Sequence, residues 1–350
     1  MSILAEGKNA LNLSRVRGYC RREIVLLALP LAAFCLSLPL GRYPISPGQV
    51  LTLLASKVLP LTPTWPDTME TVVFQVRLPR IIAAMLVGAS LATAGAAYQG
   101  MFRNPLVSPD ILGASAGASF GAALAIYFSL GVVGIQLSSF LFGLLAVMLA
   151  YALSSKIRHD PALVLVLAGI LTGTLFSAGT SLIKYLADPY DKLPAITFWL
   201  MGSLASISPR DVYMALVPML LGIAPLYLLR WRLNVLSLGE EEARALGLDT
   251  AKVRLLVILC STLMTSASVS ISGMIGWVGL LVPHLARMVV GPNYKVLMPA
   301  TILLGSAYLL LVDDLARMLG TVEIPLGIFT ALIGAPFFLY LLQHSRRGWL

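Results

Sequence analysis

Charge is the property this sequence has least of. Only 12% of its 350 residues are Asp, Glu, Lys or Arg, while 58% are hydrophobic, and mean hydropathy is +0.87. Globular domains carry about 25% charged residues, so this composition cannot cover a water-facing surface, and the chain's solvent is lipid. The three cysteines, Cys20, Cys35 and Cys260, form no C-x-x-C pair and read as small apolar residues. His159, His284 and His344 are scattered without ligand spacing, so no metal site is expected. No G-x-x-x-x-G-K-[ST] loop occurs: Gly7-Lys8 runs into Asn9 and lacks the upstream glycine. No H-E-x-x-H occurs either. An intramembrane enzyme is therefore unsupported, and any use of ATP requires a nucleotide site on another subunit.

Long apolar runs are what the chain does have. A helix needs roughly 17–25 apolar residues to cross the hydrocarbon core, whereas barrel strands alternate over about ten. Runs such as Ile135 to Leu153 do not alternate, so the fold class is all-α membrane protein with about ten transmembrane helices. The expected spans are Ile24 to Leu40, Leu78 to Met101, Ile111 to Leu130, Ile135 to Leu153, Pro161 to Leu186, Val212 to Leu229, Val253 to Ile271, Ile275 to Val290, Val296 to Leu315 and Pro325 to Leu342. A short helix from Ile196 to Leu204 reads as a partial re-entry on the outer side. The domain plan is a basic cytoplasmic N-terminus at 1–23, one polytopic domain at 24–343 and a cytoplasmic tail at 344–350.

The distribution of cations sets the orientation. With the N-terminus inside, inner segments hold 17 of the 25 Lys and Arg against 8 of the 16 acids, a net +9; outer segments hold 8 of each and are neutral. That bias satisfies the positive-inside rule and places both termini in the cytoplasm. It also explains the basic balance through anionic lipid, without invoking nucleic acid. In the first outer loop, Ser46 and Pro47 read as the N-cap and first residue of a surface helix with a stripe of Val50, Leu51, Leu54 and Val58. Prolines 60, 63 and 66 end it.

Several motifs carry two readings each. The stripes Gly88, Ala92, Gly95 and Gly113, Gly117, Gly121 suit close helix packing. Gly95 and Gly273 each precede a proline by ten residues, a faint echo of two related halves. On the fifth span Gly169, Gly173, Ser177 and Ser181 recur every four residues beside Thr172, Thr174, Thr180 and Lys184; such a polar face either glues helices together or lines a path. Arg77, Arg80 and Arg317 stand at outer helix mouths near Asp313, Asp314 and Glu323. They suit either internal pairing, as of Arg317 with Asp313, or capture of acidic groups on an outer partner. On the inner side SLGEEEARALGLD (Ser237 to Asp249) reads as a short helix with Glu240, Glu241 and Glu242 at its start, Arg244 in its last turn and Gly247 as its stop. Exposed Ala243, Leu246 and Leu248 would let it dock in a partner's groove.

Together these motifs resemble permeases of the FecCD type, the membrane subunits of ABC importers for iron–siderophore, haem and cobalamin. QVRLPR (Gln75 to Arg80) and GASLATAGAAYQGMFRNPLVSPDILGASAGA (Gly88 to Ala118) carry the resemblance. FWLMGSL (Phe198 to Leu204), LGEEEARALGLD, GWVGLLVPHLAR (Gly276 to Arg287) and LVDDLARMLGTVEIPLGIFTALIGAPFF (Leu311 to Phe338) extend it over most of Leu26 to Leu342. The segment GASAG departs mildly from the family's usual GVSSG or GVSNG. The resemblance implies a type II ABC importer permease fold, a homodimer in the bacterial or archaeal inner membrane, two ATPase subunits inside with ATP and Mg bound to them, and a substrate-binding protein outside. It assigns no cofactor to this chain. It implies coupling to the ATPase through about 237–250 (Gly239, Glu240, Glu241, Ala243, Arg244, Leu246, Gly247) and binding-protein docking at Arg77, Arg80 and Arg317. It further implies a translocation path along Thr172, Gly173, Ser177, Thr180, Ser181, Trp199 and Met201. Related permeases carry oxyanions such as molybdate, so the cargo stays open; a stand-alone carrier or channel is the reading from another class.

Overall fold

In the computed structural model, described for residues 24–57, 59, 65–157, 161–320 and 322–344, one helix organises the rest. The elements in chain order are α1 (Ile24–Ser37), α2 (Pro47–Ala55), α3 (Asp67–Thr71), α4 (Leu78–Met101), α5 (Ala114–Tyr127), α6 (Gly131–Ser154), α7 (Pro161–Leu186), α8 (Lys192–Leu200), α9 (Pro209–Leu228), α10 (Arg230–Leu236), α11 (Glu240–Ala245), α12 (Thr250–Ser272), α13 (Val278–Val290), α14 (Tyr294–Met318) and α15 (Leu326–His344). α4 is the buried axis. It packs against α14, α12 and α13, and its small residues set how close they come. A Cβ on Gly88 would lie 2.2 Å from the Gly305 carbonyl oxygen, and one on Gly95 would lie 1.8 Å from that of Gly279. These are backbone-to-backbone contacts, which settles the glycine stripe of α4 as packing.

Among the described residues, six segments are long and apolar enough to cross a bilayer, Asp67–Met101 being the longest at 35 residues. Four shorter apolar helices are Ile24–Ser37, Ala114–Tyr127, Val278–Val290 and Leu326–Tyr340. The basic segment expected at 1–23, residues 345–350 of the tail, and Val58, Pro60 and Pro63 lie outside the described residues. α2 starts as expected: Ser46 and Gln49 form a reciprocal capping box, with Pro47 at the first position. α3 and α4 are joined by a π-helical segment, Val72–Arg77, in which Leu78 N–H reaches back to Val73 O. Pro79 explains the wide turn: its ring cannot fit over an ordinary i−4 carbonyl, and the π segment relieves the clash.

Two expected elements move. The re-entrant helix lies four residues earlier, at Lys192–Leu200, because Gly202 takes φ +75° and ends it. The span expected from Ile275 begins at Val278; at 1.5 Å per residue its 13 residues cover only about 20 Å. Residues 273–277 therefore run as irregular backbone between α12 and α13. Such backbone survives at membrane depth only when its polar groups are answered by protein. Here Gly273 N–H donates to Val269 O (2.9 Å) and Ser272 Oγ to Gly273 O (3.2 Å), and three segments meet beside the linker: Ser203 N–H donates to Ser272 O (2.8 Å), Leu326 N–H to Gly202 O (2.8 Å) and Gly327 N–H to Met201 O (3.0 Å). Of the two glycines that share the ten-residue offset, Gly95 sits within α4 whereas Gly273 ends α12 at φ +66°.

Candidate functional site

A cavity of about 1170 Å³ runs along the face of α7. Gly173, Ser177, Thr180 and Ser181 line it from α7, as the four-residue spacing predicts, and Met201 closes it from the end of α8. Thr172 and Trp199 do not join them. Thr172 is buried and donates to Ala168 O (3.0 Å) and Gly169 O (3.1 Å), and Trp199 faces a separate, smaller cavity. Asp110, Ser115, Ser119 and Trp277 are among the lining residues that went unforeseen. Ser115 and Ser119 follow each other at one turn and were legible as a hydroxyl pair beside the Gly113, Gly117, Gly121 stripe. Within that stripe Gly117 packs against Phe142 O and Gly121 against Ser138 O of α6, whereas Gly113 lies against Gly173 and Gly169 of α7. Trp277 enters the wall because its backbone takes φ +69°, which no local pattern announces.

Chemically the wall holds few fixed contacts. Asp110 and Lys184 are its two charged residues. Thr174, Thr180 and Ser181 donate to carbonyls one turn back, at 2.8, 2.9 and 3.0 Å. Their hydroxyls thus turn acceptor lone pairs to the cavity. The Ser119 hydroxyl is buried and has no protein partner. A wall of acceptors, apolar atoms and one ammonium can pass a ligand without holding it tightly.

At the end carrying α1's C-terminus, the three arginines are buried, each at most 7% exposed. Arg80 meets Asp313 through Nε (2.9 Å to Oδ2) and Nη2 (2.9 Å to Oδ1), and its Nη1 reaches Glu323 at 3.0 Å. Arg317 bonds Asp314, Ser37 O (3.1 Å) and Ser37 Oγ (2.8 Å). Arg77 donates to Leu38 O (2.7 Å), Pro39 O (3.0 Å) and Tyr43 O. It thereby answers the carbonyls that α1 leaves open, where a cation is favoured. Gly41, at φ +146°, lets it pass: a Cβ there would lie 2.9 Å from Arg77 Nη2. In this conformation each of these guanidinium groups is occupied internally. Internal pairing was foreseen, but Arg317 takes Asp314 and leaves Asp313 to Arg80.

At the opposite end α10 and α11 form a surface ledge. Gly239 precedes α11 at φ +148° and Gly247 follows it at φ +78°. Glu240 anchors the ledge, receiving Arg254 of α12 at 2.8 Å and Arg244 at 2.5 Å. Partial burial pushes the Glu240 carboxyl up, but the Arg254 and Arg244 guanidinium groups and Thr250 hold it below the usual carboxylate range. Glu241 and Arg244 are exposed. Ala243 is fully buried and Leu248 packs on the core, so the apolar groups on offer are Leu246 (63% exposed) and Leu238 (61%). That corrects the expected set of Ala243, Leu246 and Leu248.

Comparison with known proteins accounts for this arrangement. The model of the FecCD transport family matches residues 27–344. The chain is 47% identical to the molybdate import system permease protein MolB of Haemophilus influenzae, over 89% of this chain and 92% of that one. It is 43% identical to the cobalamin import system permease protein BtuC of Halobacterium salinarum, over 80% and 76%. A solved metal-chelate type ABC transporter in an inward-facing conformation superposes with TM-score 0.83 at 44% identity, covering 92% of this chain and 98% of that one. The chain belongs to the FecCD transport family and is a non-catalytic, multi-spanning permease subunit of an ABC importer, with the all-α fold of the type II class.

Proposed function

We propose that two copies of this chain, each crossing the cytoplasmic membrane ten times with both termini inside, form the path of a binding-protein-dependent importer for a metal chelate such as an iron–siderophore, haem or cobalamin. The observation that carries the reading is the weakly polar cavity along α7, open on one side of the single subunit. A second copy facing it would enclose a passage wide enough for a bulky ligand. Gly173, Ser177, Thr180, Ser181 and Met201 line that passage. Two ATPase subunits sit under the α10–α11 ledge, where Glu241, Arg244, Leu246 and Leu238 make contact and buried Ala243 and Glu240 transmit movement to α12. A substrate-binding protein docks at the outer end; Arg77, Arg80 and Arg317 brace that rim from within.

The mechanism is alternating access. ATP binding draws the ATPase subunits together, the ledge passes the displacement to the spans, and the cavity changes the side to which it opens. A ligand moves such an equilibrium only through its differential affinity for the two states, and a wall with few fixed charges keeps that difference small. Molybdate is the second reading, favoured by the 47% identical relative that carries it and by Lys184 in the cavity wall. Proteoliposomes holding the permease and its ATPase, supplied with the binding protein and labelled iron–siderophore, haem, cobalamin or molybdate, test both. ATP-dependent uptake of a chelate is expected; uptake of molybdate alone replaces the cargo, and uptake without the ATPase overturns the importer reading.

A further inference from the structure

On another face of the subunit, an apolar groove and a polar cavity share a wall. The groove, about 370 Å³, lies between α6 and α9 over α12 and is lined by Leu137, Phe140, Val217 and Leu221 among others. Val217 and Leu221 are 59% and 60% exposed on its rim, so it opens sideways, toward lipid. The polar cavity, about 320 Å³, continues it toward the N-terminal end of α9 and includes Asp211, Ser203, Ser206 and Ser272. Gln136, Ser270 and Ile271 line both, and neither shares a residue with the α7 cavity.

Where the two join, hydrogen-bond acceptors converge and one of them, Gln136 Oε1, is left without a donor among the described residues. Gln136 and Asp211 are 8% and 7% exposed. Gln136 Nε2 donates to Asp211 Oδ1 (2.7 Å), and Ser208 N–H and Oγ–H both donate to Asp211 Oδ2 (2.8 Å each). Gln136 Oε1 is left with no partner. Ser270 Oγ already donates to Ala267 O (2.9 Å), so it too offers lone pairs. No Lys or Arg lines either cavity. A buried carbonyl oxygen without a donor is costly; an occupant that answers it must bring N–H or O–H groups, and Asp211 selects for positive charge.

We propose that this composite site binds a phospholipid with a primary-ammonium headgroup, of the phosphatidylethanolamine class. One acyl chain lies in the groove between α6 and α9. The ammonium, with three donors and no acceptor, enters the polar cavity toward Gln136 Oε1 and the free lone pair of Asp211 Oδ1. Its phosphate stays at the mouth, where exposed Arg210 begins the same helix. The Arg210–Asp211 pair thus mirrors the charge order of the headgroup. Phosphatidylcholine has no N–H donor for these acceptors, and phosphatidylglycerol adds anionic charge without the ammonium. The site stands whichever way the chain faces; orientation decides only the leaflet.

Native mass spectrometry of the full-length chain, stripped of lipid in detergent and titrated with the three phospholipids carrying identical acyl chains, tests this. Phosphatidylethanolamine should bind about tenfold tighter than either competitor, the equivalent of about 1.4 kcal/mol. Asp211→Asn should remove that preference. Val217→Trp, which fills the groove from its exposed rim and leaves the polar cluster alone, should weaken all three lipids. Equal retention of the three headgroups in the unaltered chain overturns the proposal, as does a preference that survives Asp211→Asn or lipid binding undiminished by Val217→Trp. Should Asp211→Asn fail to fold, Val217→Trp and the headgroup series decide alone.

Discussion

Arg80 grips Asp313 with two parallel hydrogen bonds across 233 residues of chain, both groups buried. The contact ties the start of α4 to the last turns of α14, and Glu323 extends it to the loop before α15. Removing one member of such a pair leaves a buried charge unanswered, a loss of about 3–5 kcal/mol. Arg80→Ala and Asp313→Ala should each lower unfolding stability in detergent by that order. Arg80→Met combined with Asp313→Leu should recover most of it. Strict additivity of the two single losses in a double-mutant cycle would show that the pair is not coupled.

Glu240 predicts a pH response at the ledge. Its carboxyl titrates below the ordinary value of 4.5 in the folded chain. A depressed carboxylate contributes stability above its unfolded pKa and loses it as pH falls through the folded value. Amide protection of α11 should therefore be constant from neutral pH down to about 5 and decline below 4.5. Glu240→Gln should remove the decline. Because the group is largely solvated, the effect is local and modest.

Coupling through the same ledge is testable by charge and bulk. Leu246→Asp, on an exposed side chain, should leave folding intact and abolish the rise in ATPase activity on addition of loaded binding protein. Stimulation equal to the unaltered complex would remove Leu246 from the contact.

Glycines divide sharply by surroundings. Gly48, in α2, has nothing within 4 Å of a built Cβ, so Gly48→Ala should be neutral or stabilise by about 0.5–1 kcal/mol. Gly95→Ala drives a methyl into the Gly279 backbone and should cost at least the 1–3 kcal/mol of ordinary overpacking, about the same or more. Thermal unfolding of both in one detergent compares them directly.

In the α7 cavity, Ser177→Trp should block uptake of a bulky chelate while leaving basal ATPase activity of the assembled complex unchanged. Lys184→Gln separates the cargos: chelate uptake should persist, whereas oxyanion uptake should fall. Equal loss for both would make Lys184 a structural residue.

The parts of this fold legible in the sequence were those governed by local pattern. α4 and α7 begin and end at Leu78, Met101, Pro161 and Leu186 as expected, since apolar length and punctuation determine a span. Spacing put Gly173, Ser177 and Ser181 on one polar face of α7, suited to packing or to a path, and the family resemblance pointed to the path. What was not legible depended on distant chain. The arginines at 77, 80 and 317 look exposed in a linear reading because their partners, Leu38, Asp313 and Ser37, come from other helices. Trp199 and Met201 stand two residues apart yet face different cavities, because the turn at Gly202 is fixed by Ser272 and Leu326.

The backbone-to-backbone seams of α4 with α13 and α14 limit how the subunit can move. Side chains that interlock can trade rotamers and let helices slide. Glycine against carbonyl oxygen has no such slack, and a shift of one residue would set a Cβ where Gly88 or Gly95 now stands. The three helices are therefore welded in a single register. Changes of shape during a transport cycle fall on the joints around this block, at the 273–277 linker, the end of α8 and the start of α15, so the subunit swings as a stiff lever rather than deforming as a spring.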